Sequence, residues 1–373
     1  MSDIMEAISI PKQVLTITGH WPEKKPSIFK RVLFFLDILF SFSLLLELVN
    51  HFDDFEALSK HLSLTISPTS YLIKLIIFKC KSYAFLDLIA LMKVKEFKHY
   101  PKHLRSITDH AVRSLIFLGN GYLLICFITI LMYCLIPAIS KADLPVKFSY
   151  YLGEFKPAMY AFQVMGLISA STNNSCLDML AMSLMGICAA QIEVLNRTII
   201  SLNDCDESGM YRSDQVNRGL KNCVKHHVKI IRFHEILEKV FSMIILMQYA
   251  TSAAVICNIG FQLVHVDPMS MQLIPILVYF IAMMIQLAIY CWFGNEIIVK
   301  SLDIRDSCYN FKWFESDLKA RKTITIIMER SKKPMLLTAG KFSVLSLQSY
   351  TSVMRTSYSY FALLQTLYSK NQN

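Results

Sequence analysis

Several chemical signatures are missing from this chain of 373 residues. It holds no HExxH pair, no glycine-rich phosphate loop and no nucleophile elbow. That sets aside zinc peptidase, P-loop and α/β-hydrolase chemistry. The ten cysteines are scattered, and most sit inside apolar runs (Cys126, Cys134, Cys188, Cys257, Cys291). None pairs at metal spacing, so neither a disulfide framework nor a metal site is expected. His226-His227 and His234-Glu235 lie in a charged stretch and are expected to be solvated or interface residues. Repeats and low-complexity tracts are absent. No cleavable signal peptide is expected: residues 1–30 are polar, and the first apolar run is too long for one. The sequons at Asn173 and Asn196 fall in a span and a cytoplasmic stretch, so glycosylation is not expected. The expectation is a protein that is not an enzyme, with no catalytic residues, no cofactor and no metal.

What the chain does have is apolarity. It is 54% hydrophobic, with a mean hydropathy of +0.42, which fits a polytopic membrane protein. Seven apolar segments can be marked, at about 32–49, 65–91, 115–139, 158–190, 240–264, 273–294 and 342–366. Lys74, Lys79 and Lys81 interrupt the second, and the fourth should project beyond the bilayer as helix. Ile297 to Lys333 reads as a charged amphipathic helix rather than a span.

The net charge of +10 would suit nucleic acid, but the placement of the charges points to a membrane instead. Residues 1–31, 92–114, 191–239 and 295–341 hold 29 of the 38 Lys and Arg. The alternate set holds five: Lys60, Lys141, Lys147, Lys156 and Lys370. By the positive-inside bias the N-terminus is cytoplasmic and the C-terminus extracellular. The predicted fold class is therefore all-α, with seven transmembrane helices in one domain over 1–373. Its parts are a cytoplasmic N-terminus (1–31), six helices (32–294), a cytoplasmic helical linker (295–341), a last helix (342–366) and an extracellular tail (367–373).

The last segment is unusual. Lys341 to Thr366 contains no Pro or Gly over 26 residues, about 39 Å of helix. Ser349, Ser352, Thr356, Ser359 and Leu363 follow at spacings of three or four and share one face. A hydroxyl stripe ending in one bulky apolar residue suits a water-filled path closed by a dewetting ring. It equally suits close helix packing in lipid. Charged residues within spans also need a reason. An interhelical ion pair is expected for Asp178, with a basic residue of a neighbouring helix. Snorkelling from segment ends is expected for Asp37, Asp87 and Lys81, and Glu47 is placed near the outer end, where it would attract cations.

The C-terminal run resembles the signature of the insect odorant receptor family. It carries Arg330-Ser331, Pro334, Leu337-Thr338-Ala339-Gly340-Lys341-Phe342, Leu345-Ser346-Leu347, Ser357-Tyr358-Ser359-Tyr360-Phe361 and Leu364. Upstream matches are Tyr290-Cys291-Trp292-Phe293-Gly294-Asn295-Glu296, Tyr309-Asn310 and Trp313-Phe314. Others are Cys223, His226 and His227, then Gln163, Gly166, Asp178, Cys188 and Gln191. The resemblance covers about residues 158 to 366, and Phe314 and Tyr350 stand where Tyr and Phe are usual.

The resemblance implies an odorant-gated, non-selective cation channel. An odour-tuning subunit would form a heterotetramer with the shared odorant receptor co-receptor, in the plasma membrane of olfactory sensory neurons. Its partners would be a small volatile odorant, permeant cations and the lipid bilayer, with no nucleic acid. The last helix would line the pore through Ser349, Ser352, Thr356 and Ser359, with Leu363 as gate. The pocket would lie in the outer half of the bundle. Candidates there are Tyr71, Leu75, Met132, Tyr133, Met165, Ser169, Tyr279 and Met283, a set that suits a small aromatic ligand. Tyr309, Trp313 and Phe314, with Phe311 and Ile326 beside them, would form a subunit interface below the membrane. The rivals are a gustatory receptor of the same superfamily, a G-protein-coupled receptor with its N-terminus outside, and a transporter with inverted repeats.

Overall fold

The structure is a computed structural model describing residues 4–22, 27–50, 55–98, 104–139, 156–204, 210–266, 269–271 and 273–372. Lys24, Lys25, Lys102, Lys141 and Lys147 of the charge count lie outside these residues. Ten α-helices follow in chain order among the described residues. They are α1 (Ser9–Ile17), α2 (Ile28–Asn50), α3 (Phe55–Cys80), α4 (Ser82–Leu91) and α5 (Arg105–Ile139). Then come α6 (Lys156–Ser201), α7 (Met210–His265), α8 (Leu273–Asn310), α9 (Leu318–Ser331) and α10 (Leu347–Gln372).

Six helical stretches are long and apolar enough to cross a bilayer: Ile28–Asn50, His61–Cys80, Arg105–Ile136, Pro157–Ser201, Ser213–Val264 and Leu273–Asn310. Helix α10 spans 26 residues but falls outside that set, because hydroxyls and Arg355 dilute its apolar side chains. Three boundaries differ from the sequence reading. The last helix starts at Leu347, because Thr338–Ala339 and Ser343–Val344 form a short antiparallel hairpin before it. Its tip, Gly340 and Lys341, has φ of +59° and +65°, a left-handed pair that cannot continue a helix. The second segment breaks at Lys81 into α3 and α4. The charged stretch after the sixth segment is not one amphipathic helix, since α8 runs unbroken to Asn310 and α9 follows a short turn.

Helix α6 is the axis of the bundle. Every residue from 175 to 192 is buried, and α6 packs against α5, α7 and α8, with α1, α2 and α3 completing its surround. Small residues make this possible. A Cβ added at Gly186 would stand 2.4 Å from Leu115, and one at Gly294 would stand 2.6 Å from the Leu345 carbonyl oxygen. Gly186 thus lets α5 approach α6 closely, and Gly294 lets the backbone just before α10 approach α8.

Polar side chains hold the middle of the bundle. Lys74 of α3 is paired with Asp178 of α6 at 3.0 Å, and both side chains are buried. Lys74 also donates to Gln248 of α7 at 2.6 Å. Asp178 further accepts from Tyr290 at 2.9 Å and from Gln286, both on α8. Four helices thus meet on one carboxylate–ammonium pair, the interhelical pairing that the sequence led us to expect for Asp178.

A second centre overturns the snorkelling expectation for Asp37. Asp37 of α2 is buried; it accepts from Ser169 at 2.8 Å and lies 3.3 Å from Tyr71 Oη and from His20 Nε2. Burial among hydrogen-bonding groups suits its charge better than a reach to the interface. Glu47 is likewise buried, which leaves it nothing to offer passing cations. Asp87 is exposed and Lys81 half-buried. The N-terminal residues are docked too: Ile4, Ala7, Ile8 and Leu15 are core, and Thr18 donates to Asn173 of α6. His226, His227 and His234 are buried rather than solvated, because they lie on the face of α7 that packs inward. His226 Nε2 meets Gln191 at 2.9 Å. At the charged end, Asp317 caps α9 through the Ala320 N–H at 2.8 Å and accepts from Asn217 and Ser213 of α7. The Ala320 N–H is the main reason its carboxyl sits below the usual range.

Removing one member of a buried pair leaves the other charge uncompensated, at a cost of about 3–5 kcal/mol. Lys74→Met and Asp178→Asn are each expected to lower the melting temperature of the purified protein strongly. Lys74→Met/Asp178→Leu should recover much of the loss. Equal melting temperatures for wild type and both single variants would refute this account.

Candidate functional site

Two features stand out on this frame: a cavity inside the bundle and an uncovered face on α10. The cavity, of ≈ 110 Å³, lies among α3, α5, α6 and α8. From α3 it is walled by Ser63, Leu64, Ser67 and Pro68. Pro68 has no N–H to return to the Leu64 carbonyl, which loosens α3 at the wall itself. Helix α5 adds Tyr122, Cys126, Thr129, Ile130 and Tyr133. Helix α6 adds Leu167, Ala170, Ser171, Asn174 and Ser175, a stripe at helical spacing. Tyr279, Ala282, Met283 and Gln286 of α8 close the ring.

Tyr133 and Tyr279 stand edge to face, with ring centroids 6.1 Å apart, and the Tyr279 hydroxyl shares a 2.6 Å hydrogen bond with Ser67. Gln286 belongs to both the cavity wall and the Asp178 network. The lining is mostly apolar with a few fixed polar groups, the make-up of a small-molecule site.

Of the eight residues expected to bind ligand, Tyr133, Tyr279 and Met283 line this cavity. Tyr71 and Leu75 lie one and two turns further along α3 than Ser67 and are outside the wall, packed with Phe40 and Leu44 behind Ala170. Ser169 is held by Asp37. Met165 faces out of the bundle, 65% exposed, and Met132 is half-buried away from the wall. These five fail as lining because depth along a helix does not fix which neighbour covers it. Sequence reasoning missed Asn174, Ser171, Pro68 and Gln286. The small-polar stripe through Ala170, Ser171, Asn174 and Ser175 was the available signal.

Helix α10 packs on α7 and α8 with one face only. Val353, Met354 and Ser357 face inward, and Ser357 donates to the Ala253 carbonyl at 3.4 Å. Ser352, Thr356, Ser359 and Leu363 lie on the bare face, Leu363 at 53% exposure. Ser349 is half-buried, its hydroxyl turned to the Val344 carbonyl. Below, Tyr309, Trp313 and Phe314 are exposed, with Leu318 and Ile326 exposed nearby. Phe311 departs from the sequence expectation: it is buried in the chain's own core. Among the described residues no cluster of three or more His, Cys, Asp or Glu could hold a metal.

A family model described as "7tm Odorant receptor" matches residues 54–358. Odorant receptor 85b of Drosophila melanogaster is 28% identical over 163 residues, 44% of this chain but only 41% of that relative. Putative odorant receptor 92a of the same species is 27% identical over 58% of this chain and 53% of its own length. Odorant receptor 46a, isoform A, also from Drosophila melanogaster, is 24% identical over 95% of this chain and 96% of its own length. Among solved structures, the olfactory receptor OR5 of Machilis hrabei, determined in complex with eugenol, superposes with a TM-score of 0.84 at 18% identity. That superposition covers 98% of this chain and 100% of the other, and establishes the shared fold.

Proposed function

The chain belongs to the insect odorant receptor family, and from that premise we propose that it is the odour-tuning subunit of a ligand-gated, non-selective cation channel. The observation that carries the reading is the pairing of a cavity among four helices with a hydroxyl-bearing helix face that nothing in the chain covers. The cavity is the odorant site, with Tyr133, Tyr279 and Met283 in its wall. The face through Ser352, Thr356, Ser359 and Leu363 turns to a pore shared with other subunits. Ser349 marks its inner end, and Leu363 is the closing ring.

Seven crossings, α10 being the last, with the N-terminus inside and the C-terminus outside, are supported by the charge asymmetry of 29 against five. The domain divisions of the sequence reading follow that topology. The partner is the odorant receptor co-receptor, in a heterotetramer in the plasma membrane of an olfactory sensory neuron. The exposed aromatics Tyr309, Trp313 and Phe314 suit a subunit interface at the charged end.

Gating follows from a population shift. Gln286 lines the cavity and bonds to Asp178, which holds Lys74, which holds Gln248 of α7. Helix α10 rests on α7. A ligand that fits the open bundle better than the closed one therefore has a hydrogen-bonded route to the helix that carries Leu363.

The test is current recorded from cells expressing the chain with the co-receptor. Met283→Trp fills the cavity and should raise the half-maximal odorant concentration at least about tenfold, the scale of one lost favourable contact of about 1.4 kcal/mol. Leu363→Ala should instead raise current in the absence of odorant. A channel indifferent to both changes would contradict the reading. Trp313→Ala should reduce recovery of the assembled complex, measured by co-purification, without changing the order of odorant potencies.

A further inference from the structure

A second hollow, a groove of ≈ 790 Å³, is shared by α5, α6 and α8, and none of its lining residues belongs to the wall of the first cavity. Its floor is α6, where Gly186, Ala189 and Ala190 lack the bulk to fill the space between the other two helices. Leu115 of α5 and Phe293 of α8 meet over Gly186, since a Cβ there would stand 2.4 Å from the first and 3.1 Å from the second. From that level α5, read backwards, leads to Arg113 and His110, and α8, read forwards, leads to Glu296 and Lys300. Both runs end in the Lys- and Arg-rich stretches 92–114 and 295–341. In the opposite direction the groove ends on Leu118, which is 41% exposed, beside Trp292 at 54%. The groove is therefore graded along the helix axes. It is apolar toward the middle of the bundle and charged over its last stretch, about 10 Å from Phe293 to Lys300.

That gradient is the gradient of a phospholipid, and the charges say which kind. Lys300 and Glu296 pair at 3.2 Å and cancel. The Arg113 Nε donates to the Asp109 carbonyl at 3.2 Å, and no carboxylate pairs with its guanidinium among the described residues. Arg113 and His110 are both exposed, one helical turn apart, so a ligand can reach them. The lining thus holds one uncompensated positive charge, with a fork of N–H donors that matches a phosphate. Past Lys300, the carboxylates of Asp303, Asp306 and Glu193 repel one another, so a headgroup bearing further phosphates would meet negative charge. We propose that this groove is a binding site for a phospholipid of one net negative charge. Its phosphodiester sits at Arg113 and His110, and an acyl chain lies over Gly186 and Ala189 between Leu115, Leu118 and Trp292. With the N-terminus inside, as proposed above, the lipid belongs to the cytoplasmic leaflet.

The test uses the chain in complex with the co-receptor, in phosphatidylcholine vesicles doped with a lipid whose acyl chain carries a diazirine. After irradiation the label is mapped by peptide mass spectrometry. Photoreactive phosphatidylglycerol should label the peptides bearing Leu115 to Leu118 and Trp292 to Phe293 at least about fivefold more heavily than photoreactive phosphatidylcholine at equal mole fraction. That ratio corresponds to about 1 kcal/mol for one basic residue facing an anionic lipid. A photoreactive phosphatidylinositol bisphosphate should label no more heavily than phosphatidylglycerol. Arg113→Gln should bring phosphatidylglycerol labelling down to the phosphatidylcholine level with the melting temperature unchanged. Arg197→Gln, which removes an exposed arginine outside the groove, should leave it as it was. Equal labelling by the two wild-type probes overturns the proposal, and does so whether or not any variant folds. So does labelling that survives Arg113→Gln, that falls equally in Arg197→Gln, or that is heaviest with the bisphosphate. Protease protection of the N-terminus tests the leaflet separately: an N-terminus outside would move the site to the other leaflet, whereas failed labelling removes the site itself.

Discussion

The fold depends on how a bundle in lipid treats one ammonium group. Lys74 has been carried from α3 into the centre of the molecule, where no water can solvate it. Asp178 neutralises it, the Gln248 side-chain oxygen accepts a hydrogen bond from a second N–H of the ammonium, and Tyr290 and Gln286 donate to the carboxylate. Apolar helices gain little from each other in lipid, since the tails are as apolar as leucine. A polar centre shared by α3, α6, α7 and α8 supplies the discrimination that hydrophobic burial cannot. It fixes the register of four helices at once, and the cavity sits directly against it.

The same reasoning explains why α6 is so unlike its neighbours. It carries Ala181, Ser183, Gly186, Ala189 and Ala190 through the middle of the bundle, where bulk would push α5 and α8 away. The N-terminal segment closes over it, with Ser183 donating to the Ala7 carbonyl at 2.9 Å. The result is a rigid axis. The cavity of the candidate site lies where α6 carries Ala170, Ser171 and Asn174 and where Pro68 interrupts the hydrogen bonding of α3.

Helix α10 follows the opposite rule. One face is apolar and seated on α7 and α8, and the other carries hydroxyls with nothing against them. Serine and threonine hydroxyls on a helix can return to the carbonyl four residues back, as Ser359 does to Arg355 at 3.0 Å, so the face tolerates either lipid or water. In the channel proposed above, further subunits would cover this face.

How much was legible in the residues follows from the range of each interaction. Composition and periodicity determined a mostly helical chain with several bilayer-length apolar segments, because both are local properties. The hydroxyl stripe was legible for the same reason, since helical spacing alone places Ser352, Thr356, Ser359 and Leu363 on one face. A last segment free of Pro and Gly after Gly340 was legible, but the hairpin there needed the left-handed Lys341 and the Glu238 carboxylate that binds Thr338. What lay beyond the sequence was every partner choice. Asp37 and Asp178 are both aspartates in apolar runs, yet one meets His20 and the other Lys74. Tyr71 and Tyr279 are both tyrosines that the sequence offered as pocket residues, yet only the second faces the cavity. Local spacing assigns a residue to a helix face; only the packing of separate helices decides what that face meets, because that depends on contacts well beyond one helical turn, from 17 residues apart for His20 and Asp37 to 104 for Lys74 and Asp178.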